Sequence, residues 1–227
     1  MSDKLLVVST DCHAGLPIAD YKPYVESKYH DMLDVAVPIT VEMLEKSESQ
    51  FLIKEINDEW RAPIKQELTG AWNYQERVKM LAGDGIAAEV IFPDGITEKN
   101  TPPFGAGLGL SPKDMVPELQ WAGAMAHNRW LADFCAAHPE RRCGLPQVFL
   151  NDLDDTIADL ELAAANGHSS FMLPAVPPDS GMPGLYHPVY DRVWAACSDL
   201  DLTITQHGGS GNPSYGDAPA ASLMFLL

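Results

Sequence analysis

Val7-Val8-Ser9-Thr10-Asp11-Cys12-His13-Ala14-Gly15 is an apolar run that ends in Asp-x-His, and Leu202-Thr203-Ile204-Thr205-Gln206-His207-Gly208-Gly209 is a second that ends in His. Side chains alternate along an extended chain, so Asp11 and His13 share one face and can converge on one ion near a strand end. Cys12 points to the opposite face, which suits packing better than ligation. Carboxylate with imidazole is a donor pair for a borderline divalent cation such as zinc. Alone, the pair equally describes a capping aspartate beside a hydrogen-bonded histidine. His207 shifts the balance, because parallel strands would put both motifs at the C-terminal edge of one sheet, where α/β proteins bind their ligands. The two glycines that follow leave room for an ion and a substrate near the backbone. Asp11, His13 and His207 are therefore the candidate metal ligands.

The chain between these motifs alternates strand-like and helix-like patterns. Runs rich in apolar and β-branched residues fall at 5–10, 89–92, 142–149, 169–175 and 202–206. Helical periodicity fills 73–83, 118–138, 151–166 and 188–200, with an Asn or Asp cap suited to the third and Asn166-Gly167 as its stop. Strands joined by helices imply a parallel sheet in an α/β fold. Two stretches break the rhythm: 14–69, which reads as an insertion with helical content, and the Gly/Pro-rich 94–113. The glycines around Gly105 do not make a nucleotide loop, since neither the lysine and hydroxyl of a P-loop nor a dinucleotide fingerprint accompanies them. A loop over an active site and a passive connection are both compatible with that composition.

Bulk properties narrow the function classes. The 227 residues carry 32 acidic and 15 basic side chains, a formal charge of −17 that disfavours nucleic acid and anionic lipid as partners. Apolar residues at 46% and charged residues at 21% are ordinary globular composition, enough for one domain over 1–227. No apolar run approaches the roughly 18 residues of a membrane span. Four cysteines without CxxC spacing fit a reducing cytoplasm.

Several motifs in order resemble one family. Besides Asp11-x-His13, they are Asp84-Gly-Ile-Ala-Ala-Glu-Val-Ile-Phe-Pro93, Asn128-Arg-Trp-Leu-Ala-Asp-Phe-Cys135 followed by Pro139-Glu-Arg-Arg142, and His187-Pro-Val-Tyr-Asp-Arg-Val-Trp194 leading to His207-Gly-Gly209. Together they resemble the amidohydrolase-related family of the amidohydrolase superfamily, which includes aminocarboxymuconate-semialdehyde decarboxylase and resorcylate decarboxylase. The resemblance implies a TIM-barrel-type (β/α)8 fold and one divalent metal, zinc or manganese, held by the strand-one pair, the strand-five histidine and a later aspartate. It implies a metal-dependent hydrolase or decarboxylase acting on a small aromatic or unsaturated carboxylic acid. His187 is a candidate substrate contact, with the competing role of opening the helix at Pro188.

About five of eight strands precede residue 227, so the expected aspartate, which would also be the proton shuttle, lies beyond the chain end. The other reading is a catalytically inactive partial barrel acting as a binding or interaction module. Five strands without the rest leave a sheet edge and an apolar interior uncovered. Homo-oligomers or aggregates of the isolated chain are expected, and a stable compact monomer on size-exclusion chromatography would contradict this.

Overall fold

The computed structural model describes residues 5–51, 53–93, 100–106, 116–173 and 181–207. Strands β1 Val7–Ala14, β2 Ile86–Pro93, β3 Arg142–Gly144, β4 Ser170–Met172 and β5 Thr203–Thr205 alternate with helices. Helices α1 His30–Phe51, α2 Lys54–Arg61, α3 Lys65–Leu68 and α4 Tyr74–Gly83 lie between β1 and β2. Then α5 Pro117–Ala136 leads to β3, α6 Leu153–Ala165 to β4, and α7 Asp191–Asp199 to β5. Among the described residues no helix is long and apolar enough to cross a membrane.

Every strand pairing is parallel: β1 with β2, β2 with β3, and β4 with β5. One parallel bridge, Gln147 to Met172, joins the three-stranded and two-stranded parts in sequential order. Sequential parallel strands with a helix in each crossover are the winding of a β/α barrel. Five strands are seen among the described residues.

The strand expected at 142–149 stops at Gly144 for a local reason. Pro146 has no N–H to give, and the Asn128 side chain takes both backbone groups of Gln147, accepting from its N–H at 2.9 Å and donating to its carbonyl at 2.7 Å. Strand β1 is longer than expected and runs through both candidate ligands. Its pairs Cys12–Ile91, His13–Phe92 and Ala14–Pro93 extend the ladder, after a register irregularity between Ser9 and Cys12.

The segment between β1 and β2 carries helices and is tied to the main body. Tyr21, Val25, Tyr29 and Leu33 recur at helical spacing and bury against Ala122, Ala126, Trp130 and Phe134 of α5. Helix α5 packs closely on both sides. A Cβ on Gly123 would sit 1.9 Å from the Pro103 carbonyl oxygen, so the 103–105 turn can lie against the helix only where glycine stands. The cap expected for α6 forms, with Asp152 accepting from the Asp154 and Asp155 N–H groups, and α4 is capped in the same way by Asn73, which accepts from the Gln75 and Glu76 N–H groups. Part of 94–113 and residues 174–175 fall outside the described residues.

Behind the sheet lies a buried ion triad. The Glu89 side chain on β2 is 0% exposed; Arg77 of α4 lies 2.7 Å from one carboxylate oxygen and Arg142 of β3 lies 3.4 Å from the other. Arg142 also donates to the Phe134 carbonyl at 2.7 Å and lies over the Phe134 ring. Removing the carboxylate would leave two facing cations away from water. Glu89→Ala is therefore expected to lower unfolding free energy by about 3–5 kcal/mol, measured as a lower urea midpoint, and an unchanged midpoint would contradict the structural role.

Candidate metal centre

The C-terminal ends of the first and fifth strands meet. Asp11 and His13 project from one face of β1, and His207 follows β5 by two residues. Asp11 Oδ1 lies 3.2 Å from His207 Nε2 and 3.4 Å from His13 Nε2. One ligand atom from each of the three lies within 4.8 Å of the others. Donors about 2.1 Å from a tetrahedral ion are about 3.4 Å apart, so the two Asp11 distances match the edge of such a site. The donor set, one carboxylate oxygen and two imidazole nitrogens, suits a divalent transition metal.

The surroundings favour a neutral, ligand-competent His13. Burial, and next the neighbouring His207, hold His13 below the ordinary imidazole value, against the opposing pull of Asp11. Phe92, paired with His13 across β1 and β2, supplies the apolar floor. Its ring stands edge-on to His207 at 4.7 Å and tilted to His13 at 5.9 Å. The two imidazole rings are themselves 5.0 Å apart at 83°. Asp11 is the exposed member, with 72% of its side chain open to solvent, so the site faces outward at the strand ends.

The other sequence candidates fall elsewhere. His187 is exposed, and its Nδ1 accepts the Val189 N–H at 3.1 Å, capping the 3-10 turn that opens at Pro188. That is the helix-opening role, and among the described residues His187 makes no hydrogen bond to the triad. Cys12 is half-buried and donates to the Ser9 hydroxyl at 3.1 Å; burial raises its thiol, which keeps it protonated. Phe92, Arg77 and Glu89 were not singled out by their sequence pattern. The available signal for Phe92 was its place at the C-terminal end of strand two, level with His13.

No protein-family model matches the sequence, and no curated protein matches it. The fold is similar to 5-carboxyvanillate decarboxylase from Novosphingobium aromaticivorans with bound manganese and 3-methoxy-4-hydroxy-5-nitrobenzoic acid. That match has a TM-score of 0.58 and 14% identity over 99% of this chain and 56% of that one. It is similar to 2,6-dihydroxybenzoate decarboxylase from Rhizobium, with a TM-score of 0.52 and 17% identity over 96% of this chain and 53% of that one. A third match, an amidohydrolase from Mycobacterium avium subsp. paratuberculosis, has a TM-score of 0.57 and 16% identity over 89% of this chain and 58% of that one. The chain spans a little over half the length of these proteins. The resemblance carried by the sequence motifs therefore has its counterpart in the fold.

A lowered His13 pKa means that the folded state disfavours the imidazolium. The associated stability is full above the unfolded-state value and is lost as pH falls. In an NMR titration His13 is expected to protonate at a lower pH than a free imidazole, and His207→Ala should move its midpoint upward. A midpoint at or above the free value would overturn the electrostatic account.

Proposed function

We propose that this chain forms the first five strands, and three of the metal ligands, of an amidohydrolase-type barrel that decarboxylates a small aromatic carboxylic acid. The observation that carries this reading is the convergence of Asp11, His13 and His207 at the C-terminal strand ends. The fold likeness to two decarboxylases of aromatic acids, one solved with manganese and a nitrobenzoate, favours decarboxylation over hydrolysis. Manganese is accordingly the first ion to test, and zinc, which suits two imidazoles and a carboxylate, the second.

Asp11, His13 and His207 would hold the ion, their donors already spaced for it. When bound, the ion would supply positive charge to hold a substrate carboxylate and a neighbouring ring oxygen. The buried Phe92 ring excludes water beneath the two imidazoles, which strengthens electrostatic contacts made above it. Keeping His13 neutral preserves it as a donor rather than an acid. The proton for the ring carbon would come from a group outside this triad, for which the family resemblance implies a later aspartate. His187, as a cap at the start of its turn, has no assigned part in the chemistry.

Elemental analysis of the purified chain, wild type against a His13→Ala and His207→Ala double variant, tests the site. The expected result is about one equivalent of manganese or zinc in the wild type after reconstitution and none in the variant. With metal in place, the absorbance of 3-methoxy-4-hydroxy-5-nitrobenzoic acid should change on binding. A wild type that takes up no metal would instead support the inactive binding-module reading.

A further inference from the structure

We infer that Arg77 is a positioning residue for His13, acting through the His13 backbone carbonyl; this rests on the metal-site reading above. Arg77 Nη1 donates to the carbonyl oxygen of His13 at 3.1 Å and to that of Gly70 at 3.5 Å. Its Nε donates to Glu89 Oε2 at 2.8 Å, and its Nη2 lies 2.7 Å from the same oxygen. One guanidinium thus ties the peptide of a candidate ligand to α4, to the turn before α4 and to β2. Two residues on, the Gly15 N–H donates to the Ala71 carbonyl at 2.9 Å, so the same 70–77 segment holds the chain on both sides of Ala14.

The anchoring matters because β1 is irregular beside one of its ligands. Its register with β2 shifts between Ser9 and Cys12, a span that contains Asp11, so the ladder holds the strand at His13, paired with Phe92, and the Arg77 contact adds a second hold at that same residue. A carbonyl pinned from behind fixes the peptide plane, and with it the direction in which the His13 imidazole leaves the strand. Only a planar fork suits this. Arginine can reach a carbonyl with one nitrogen and a carboxylate with its others, whereas a lysine ammonium is a single point charge.

The buried triad provides its own control. Losing either arginine leaves Glu89 paired with the other, a neutral pair, so both variants retain a counter-ion and are expected to fold. They differ in one respect: Arg77 touches the His13 carbonyl, and Arg142 instead touches those of Phe134 and Tyr74.

The experiment compares Arg77→Met, Arg77→Lys and Arg142→Met in the full chain, each checked for fold by circular dichroism. The imidazole nitrogen resonances of His13 are recorded without metal. Cobalt(II) is then titrated by its absorption spectrum and by competition with a chromogenic chelator. Both Arg77 variants should shift the His13 resonances and weaken cobalt binding by about 10- to 100-fold, while Arg142→Met keeps both at wild-type values. Wild-type resonances and affinity in the Arg77 variants would overturn the inference, as would an equal effect of Arg142→Met, which would mark a loss of general stability. A wild type that binds no cobalt would remove the metal reading, while the apo resonances would still decide whether Arg77 positions His13.

Discussion

The contact between Asp11 and His207 constrains the whole sheet. Neighbouring strands are about 4.8 Å apart, so five strands laid flat would put the first and fifth about 19 Å apart. A carboxylate and an imidazole cannot bridge that gap. Their approach to 3.2 Å therefore requires a sheet that curls until the first and fifth strands face each other across its hollow. Twist and stagger of the strands make the site, and the side chains only complete it. Phe92 and its neighbours Leu145 and Met172 fill the hollow below the ligands, which keeps the curl from collapsing further.

The curled sheet is held from outside by charge as well as by apolar packing. Glu89, Arg77 and Arg142 come from three different elements and meet where helix α4 lies over β2 and β3. Such a cluster adds little net stability compared with a well-packed apolar core, because each ion gives up its water. Its contribution is directional. Hydrogen bonds to the carbonyls of His13, Gly70, Phe134 and Tyr74 fix how the helices sit on the strands, which apolar contacts alone leave free to slide.

Much of this was legible in the sequence because it depends on local pattern. Alternation placed Asp11 and His13 on one face, and the two Gly-flanked strand ends pointed to one edge. The cap of α6 could be read from the Asn151-Asp152 pair. What local pattern does not encode was missed. The early end of β3 follows from a clamp between Asn128 and Gln147, 19 positions apart in the chain. The extension of β1 past His13 follows from its register with β2, which the β1 sequence alone does not show. Glu89 read as one polar position in an apolar strand, and its partners became visible only once α4 and β3 had been placed against it. The packing of the segment between β1 and β2 has the same cause, since Tyr21, Val25, Tyr29 and Leu33 gain meaning from the face of α5 they cover.

Asp11 and His207 stand 196 positions apart, and that separation bears on how the protein is made. A chain emerging from the ribosome presents the Asp11–His13 pair well before His207 is translated. The third donor arrives only after every intervening helix and strand has been synthesised, and it reaches the pair only if each has docked in order. Long-range closure of this kind is slow, because the chain entropy of the whole loop is lost before the contact forms. An ion that needs all three donors would then be captured by finished molecules and not by nascent or misassembled ones.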